Sequence, residues 1–368
     1  MWANDISADK MATYVANYGK EHFHLEDIWK VATNPDSILP QGVFLYTASF
    51  PCTDLSVAGA RAGLAGIESG TLNAVLKILE SKKSVGDAPK VVMLENVSGF
   101  LTSHNGNDVA ETVRSLSKLD YIVDIIELDA ALFTPQSRPR VFVIAVLKDI
   151  ASTVMYIKQP ENIFDDWWLK FNEQPQLRSN KLKRIIATNE DLNWGLMDIP
   201  LPPKRTSDLA DIIEVDIPDD SPLWWNEIRK HHLYSQMNPN HQAKLSAMMQ
   251  NPSHLYGTVF RRMRAGSSMA ELRTDGVAGC LRTPRGGSSK QILVRAGNGS
   301  WDVRLLTPRE YARLQGVRDT FLLPDNLNKG YFAMGDAVCV PVIEHLSKHI
   351  LQPLFESTQT VAECDKSD

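Results

Sequence analysis

Long apolar runs are missing from this 368-residue chain. None approaches the roughly 18 residues that cross a bilayer as a helix, and the longest candidate, Val141 to Leu147, has the length of a strand. The opening residues Met1-Trp2-Ala3-Asn4-Asp5 lack the basic and apolar segments of a signal peptide. Cysteine is scarce too: four residues, at 52, 280, 339 and 364, with no CxxC or zinc-type spacing. These absences exclude the secreted disulfide-framework and membrane-spanning classes, and no metal site is expected. A reduced cytoplasmic protein is the expectation. No internal repeat is visible.

What is present is a globular composition, 43% hydrophobic and 23% charged, enough to bury a proper core in a chain long enough for two domains. The net charge of −5 argues against a nucleic-acid partner only as an average. Between Thr206 and Asp220 stand six carboxylates and no Lys or Arg; from Arg261 to Arg309 ten basic residues face only Glu271, Asp275 and Asp302. That second field suits a polyanion, although a solvated basic face has the same composition.

From 1 to about 148, short apolar runs alternate with helical stretches. Gly42–Phe50, Lys90–Leu94, Tyr121–Leu128 and Arg140–Leu147 predict strands, with helices over Ile67–Ser81 and Asn107–Leu119. This alternation predicts a parallel-rich α/β sheet, whose ligands gather at the carboxyl ends of the strands. From about 149 to 303 the periodicity decays, while six of the eight Trp and many prolines accumulate; a separate, loop-rich domain is expected. Regularity returns with helices over Pro308–Gln315 and Val340–Leu354, and Ser357–Asp368 is expected to fray.

Four places could carry chemistry. Cys52, in Phe50-Pro51-Cys52-Thr53-Asp54-Leu55-Ser56, follows a predicted strand and is either a thiolate nucleophile or a small core residue. The glycines at 59, 63, 66 and 70 make the next segment either a mobile lid or a plain flexible connection. Glu95 ends a strand, as a proton holder or as a capping carboxylate. Arg138 and Arg140 share a parity and suit the oxygens of a base or phosphate, or simply a polar start to a strand.

Taken in order, the blocks FPCTDLS, MLENVSGF, TPQSRPRVFVIAV, RLLTPREYARLQGV and MGDAVCVPV, from Phe50 to Val342, closely resemble the DNA (cytosine-5) methyltransferases. The resemblance implies a Rossmann-like S-adenosylmethionine-dependent sheet over 1–148. It further implies a smaller, loop-rich target-recognition domain over 149–328, a segment 329–356 returning to the catalytic domain, and a tail 357–368. Cys52 occupies the position of the nucleophile that adds to cytosine C6. Glu95 matches the carboxyl that meets N3, Arg140 the arginine that holds O2, and Arg138 its neighbour. The target cytosine must be flipped out of the duplex, and Ser56 and Gly59 fall in the lid that closes on it. The same resemblance places the methyl donor, S-adenosylmethionine, against Asp5, Ile6, Asp27, Ile28, Pro51, Leu72, Asp336, Ala337 and Val338. In the recognition loop Gly279–Lys290, the residues Arg282, Arg285, Gly286, Gly287 and Lys290 fall where DNA would be met, phosphate contact being the safer assignment for the basic ones.

The sequence departs from the family most in lacking a Phe-x-Gly-x-Gly-Gly turn at its start. Gly297-x-Gly299 is the only later GxG, and it lies in the predicted recognition domain. The chain therefore reads as a truncated, mis-started or split enzyme, the last with an N-terminal segment on another polypeptide. Thr53 stands where Gln is usual, and Asp336 where Asn is usual. The expected function is methylation of cytosine C5 in a specific duplex DNA site, in a restriction-modification system with a cognate restriction endonuclease. Two alternatives are a fragment that binds DNA without catalysing, favoured by the missing turn, and a transfer-RNA cytosine-5 methyltransferase.

Overall fold

The computed structural model describes residues 1–50, 70–158, 166–264, 266–284 and 290–364. Two strands near the N-terminus, β1 (Ala3–Asp5) and β2 (Phe23–Leu25), pair in parallel around the helix Ala8–Tyr18. The central sheet holds β3 (Leu45–Ser49), β4 (Val91–Val97), β5 (Tyr121–Asp129) and β6 (Pro139–Leu147) in the order β3-β4-β6-β5.

The apolar runs form continuous strands because both faces of this sheet are covered. Val92, Leu94, Val123, Ile125, Val141 and Val143 point to one face, against the helices Thr71–Ser84, Asn107–Lys118 and Asn180–Ala187. Val91, Met93, Ile122, Ile126, Phe142 and Ile144 point to the other. That second face is closed by the C-terminal helices, through Val342, Leu346, Ile350 and Leu354. Each such side chain contributes about 1.5–3 kcal/mol when fully buried.

The sheet is not parallel-rich. β3 and β4 run parallel, but β6 is antiparallel to both β4 and β5. The cause is the link between β5 and β6: a single 3-10 turn, Ala130–Leu132, and a few further residues cannot make the crossover that a parallel pair requires. The C-terminal helix is interrupted as well. It runs over Val340–Leu346, opens into a π turn at Ser347–Leu351 and continues from Gln352 to Cys364, through residues expected to fray.

The described residues between 149 and 200 pack on the central sheet, although their sequence suggested the start of the second domain. β7 (Met155–Ile157) and β8 (Gly195–Met197) form a small antiparallel pair, and Trp194 bridges to Val123 of β5. Trp167, Phe171 and Trp194 share the core of the first face. Asp124, inside β5, is buried with Arg178 at 2.6 Å, and its carboxylate also accepts from the Met197 amide. Burial pulls the Arg178 guanidinium down, but Asp124 outweighs it and holds the pKa above its ordinary value.

The second body is more regular than its sequence suggested. β9 (Leu255–Arg264), β10 (Ser267–Arg273), β11 (Ile292–Gly297) and β12 (Ser300–Leu305) form an antiparallel sheet in the order β10-β9-β11-β12. The GxG is the hairpin turn between β11 and β12, with Asn298 at φ 52° and Gly299 at φ 81°, the left-handed pair that a two-residue hairpin loop needs. The helices Glu227–Ser235 and Pro239–Met249 cover this sheet through Leu233, Leu245 and Met248. The helix Pro308–Leu314 starts with a capping box from Thr307 to Glu310, and Glu310 is wholly buried against Arg304 at 2.5 Å.

Candidate active site

The carboxyl ends of β3 and β4 and the start of β6 meet at one edge of the central sheet. Glu95 and Arg140 are diagonal neighbours there, because Val97 is the residue opposite Arg140. Arg140 Nε lies 2.9 Å from Glu95 Oε1, and the two side chains are only 12% and 13% exposed. The pair therefore faces a nearly closed space while keeping some access to solvent. Next to Glu95, the buried Asn96 donates from Nδ2 to the Phe50 carbonyl at 3.0 Å. Phe50 stacks edge-on against Phe100, 5.6 Å between ring centres. These two contacts pin the last described residue of β3's continuation beside the acid–arginine pair. Pro51, Cys52, Ser56 and Gly59 lie outside the described residues, so the sequence assignments to them stand as expectations.

Arg138 sits differently from Arg140. It is buried, and its guanidinium fans out to main-chain carbonyls: Nη1 donates to Leu281 at 2.8 Å, and Nη2 to Gly335 at 3.0 Å and Ala337 at 2.8 Å. Burial first, and the like charge of Arg140 second, lower its pKa from the usual guanidinium value. Arg138 thus joins the start of β6 to the segment around Leu281 and to the C-terminal MGDAV block. Two glutamines build the same junction. Gln136 donates to the Leu314 carbonyl at 2.9 Å and accepts from the Leu281 amide at 3.2 Å. Gln315 donates to Met334 at 2.7 Å and Ala337 at 3.0 Å. A Cβ on Gly335 would meet the Arg282 carbonyl carbon at 2.7 Å, so the close approach of the two segments requires glycine there.

The residues expected around the methyl donor divide into three groups. Asp5 and Asp336, far apart in sequence, are brought to the same ammonium: Lys10 Nζ lies 3.0 Å from Asp5 and 3.4 Å from Asp336. Burial opposes the Lys10 charge, but Asp336 and Asp5 outweigh it and raise the pKa. Asp27 caps the short helix Ile28–Val31 through the Trp29 amide, and Ile28 packs on the small cluster of Val31, Ala32 and Ile78. Ile6 is 69% exposed. Leu72, by contrast, is fully enclosed in the core of the first face, and Val338 packs on the second. Ala337 offers its carbonyl to Arg138 and Gln315.

Of the DNA-facing expectations, Arg282 is exposed, while Lys290 donates to Asn328 Oδ1 at 2.8 Å and stands over the Tyr331 ring at 4.4 Å. Arg285, Gly286 and Gly287 lie outside the described residues. Sequence reasoning missed Asn96, Gln136, Gln315 and Lys10 as site-building residues. Asn96, Gln136 and Gln315 stand inside the blocks quoted above as uncharged polar residues beside apolar neighbours; nothing local marked Lys10. Among the described residues, no three His, Cys, Asp or Glu side chains gather as a metal cluster would require.

The geometry can be set beside known proteins. Over residues 1–352 the chain matches the family model described as C-5 cytosine-specific DNA methylase. Among curated proteins it is 25% identical to the Type II methyltransferase M.DsaV of Dactylococcopsis salina, over 100% of this chain and 84% of that protein. It is also 25% identical to M.Bsp6I of Bacillus sp. (strain RFL6), over 96% and 92%. Among solved structures it is similar to the S. pombe Dnmt2 methyltransferase, with TM-score 0.57 and 17% identity over 96% of this chain and 90% of that one. A putative DNA modification methyltransferase from an E. coli prophage gives TM-score 0.52 and 17% identity over 97% and 93%. Those two likenesses concern the fold, which is mixed α/β and Rossmann-like. With the acid–arginine pair at the sheet edge and the family match across nearly the whole chain, this protein belongs to the C-5 cytosine-specific DNA methylases and is a methyltransferase enzyme.

Proposed function

We propose that this enzyme methylates C5 of a flipped cytosine in a specific duplex DNA site, as the modification half of a Type II restriction-modification system. The observation that carries the chemistry is the Glu95–Arg140 pair, 2.9 Å apart and mostly shielded, beside the pinned Phe50 that leads into Pro51 and Cys52. Cytosine C5 is a weak nucleophile. Addition of the Cys52 thiolate to C6 forms a C–S bond and pushes electron density to C5, provided N3 is protonated or hydrogen-bonded. Glu95 supplies that proton, and Arg140 holds the O2 oxygen. Attack by C5 on a sulfonium-bound methyl group then forms the new C–C bond as the methyl–sulfur bond breaks, its electron pair leaving on sulfur as a neutral thioether. Loss of the C5 proton to a base restores the C5–C6 double bond and expels the thiolate, and N3 returns its proton to Glu95.

The family implies S-adenosylmethionine as the donor, whose sulfonium supplies an electrophilic methyl group. The residues near β1 fit such a molecule. Asp5 and Asp336 are partly exposed carboxylates that share a single ammonium, Lys10, leaving acceptor capacity for hydroxyls and a favourable field for a cation. Asp5, Ile6, Asp27, Ile28 and Pro51 would hold the donor together with Asp336, Ala337 and Val338; Leu72 would support that wall from within the core.

The test is transfer of labelled methyl from S-adenosylmethionine to mixed-sequence duplex DNA, with transfer RNA in parallel. Cys52→Ala is expected to abolish transfer while retaining DNA binding, and transfer surviving that substitution would sink the mechanism. Preferential labelling of transfer RNA would overturn the DNA assignment. The restriction-modification role predicts that plasmid DNA from cells expressing the enzyme resists one restriction endonuclease of matching site. Methylation scattered over unrelated cytosines would contradict it.

A further inference from the structure

The basic residues of the second body are not alike. Arg295 is paired with Asp219 and Asp302, Arg304 with Glu310, Arg273 with Asp275, and Arg262 with Glu271. Glu227, one turn from Arg229, is taken by Lys230. Of the cations that pair with no carboxylate among the described residues, three share one place: Arg229, Arg261 and Lys290. They come from the helix Glu227–Ser235, from β9 and from two residues before β11, yet all three line one cavity of about 340 Å³.

The cavity is built from two kinds of wall. Ile292 and Leu305, directly paired across β11 and β12, give it an apolar floor, joined by Phe332 and Pro284. The cations stand around this floor on aromatic supports. The Arg229 guanidinium lies 3.7 Å from the centre of the Trp225 ring, and that of Arg261 lies 5.8 Å from the same ring. Lys290 stands 4.4 Å from the Tyr331 ring centre, held by Asn328. Two guanidiniums on one indole repel each other, and nothing on the protein described here neutralises them. Desolvation, and after it the Arg261 charge, lowers the Arg229 pKa; desolvation alone lowers that of Lys290. A site that keeps three cations together against their repulsion is short of an anion.

We propose that this cavity seats one backbone phosphate of the DNA substrate, its deoxyribose lying on the apolar floor formed by Ile292 and Leu305. The inference rests on the methylase reading and deepens it. DNA is favoured over a small free anion by position: Pro284 and Lys290, both in the cavity wall, belong to the stretch Gly279–Lys290 that resembles the family's recognition loop. A larger cavity of about 770 Å³ lies elsewhere, between β3, β4 and the C-terminal helix, but of its three lysines Lys83 and Lys90 are paired with Asp120 and Asp149, and Lys148 alone has no carboxylate among the described residues. Size alone does not make an anion site; unpaired charge does.

The test is fluorescence anisotropy of labelled duplex DNA, with and without the methylation site, as salt is varied. Neutralising the pair with Arg229→Gln/Arg261→Gln is expected to weaken binding similarly on both duplexes. The slope of log affinity against log salt is expected to fall by about 1, the loss of roughly one phosphate contact. Lys290→Gln, on another element, is expected to act in the same direction. The charge-preserving Arg229→Lys/Arg261→Lys should recover most of the slope, which a folding defect would not explain. An unchanged salt slope in both glutamine variants, with wild-type unfolding midpoints, would overturn the phosphate site. A shallower slope with structured RNA but not with DNA would overturn its assignment to DNA. If the wild-type protein binds no duplex DNA at all, the methylase reading itself fails, an outcome distinct from a wild-type protein whose slope resists the substitutions.

Discussion

Removing the Arg138 guanidinium tests how the central sheet and the segment around Leu281 are held together. In Arg138→Met the side chain keeps much of its apolar stem, but three carbonyls lose a charged donor. They do not lose equally. Ala337 keeps Gln315 as a donor at 3.0 Å, and Leu281 keeps the weak Cys280 thiol at 3.4 Å. The Gly335 carbonyl is left with no donor among the described residues. An unpaired buried carbonyl costs about 1–3 kcal/mol, and the exchange of a strong donor for a weak one about 0.5–1.5 kcal/mol at each of the others. Against this stands relief from burying a guanidinium that bonds to no carboxylate. The balance is a destabilisation of about 2–4 kcal/mol. It is measured from urea unfolding followed by tryptophan fluorescence. Function adds a second readout: the KM for DNA should rise and donor affinity should fall with it, because the junction holds both the Leu281 segment and the Gly335–Ala337 segment proposed to meet the donor. Arg138→Lys should not rescue, since one compact ammonium cannot reach three carbonyls set around a planar fork. A methionine variant within about 0.5 kcal/mol of wild type, the range of an ordinary surface change, with unchanged KM for DNA, would refute the junction.

Other expectations follow from the same geometry. If Glu95 supplies the N3 proton as proposed, Glu95→Gln should lower methyl transfer about 10²- to 10⁴-fold with DNA affinity little changed; a single-turnover assay with saturating donor measures it, and a loss under threefold would contradict the role. Glu310→Gln leaves Arg304 buried without its counter-charge and should cost about 3–5 kcal/mol, whereas Arg304→Met/Glu310→Met should regain most of that; urea unfolding of the two variants decides, and equal losses would count against a charge effect. His345 is buried, and burial lowers its pKa despite the Pro200 carbonyl at 3.1 Å, with His349 and Lys348 pushing the same way. Its folded pKa lies below the ordinary 6.5, so its contribution is present above that value and is lost as pH falls through the folded pKa. The unfolding midpoint should therefore drop on acidification, and His345→Gln should flatten part of the drop; an identical pH profile in the variant would dismiss this residue as a cause.

What the sequence revealed and what it concealed divide along a physical line. The strands of the central sheet were visible because both of their faces are buried, which writes continuous apolar runs such as Val141 to Leu147 into the chain. Glu95 and Arg140 were visible because strand ends fix which side chains reach the sheet edge. Strand direction was not visible, for it depends on the short link through Ala130–Leu132 rather than on any residue inside β6. Residues 149 to 200 were misplaced because what holds them, Arg178 on Asp124 and Trp194 beside Val123, is a set of contacts between distant parts of the chain. The second sheet hid for a different reason: the run Arg261, Arg262 and Arg264 in β9 blurs the alternation by which strands are found. Arg138 makes the same point in reverse. Its spacing from Arg140 suggested a shared substrate, yet one of the two pairs with Glu95 at the sheet edge and the other disappears into a junction of carbonyls. Residue type and spacing delimit the chemistry that is available; which partner each charge finds, or fails to find, decides whether it reacts, supports or waits for DNA.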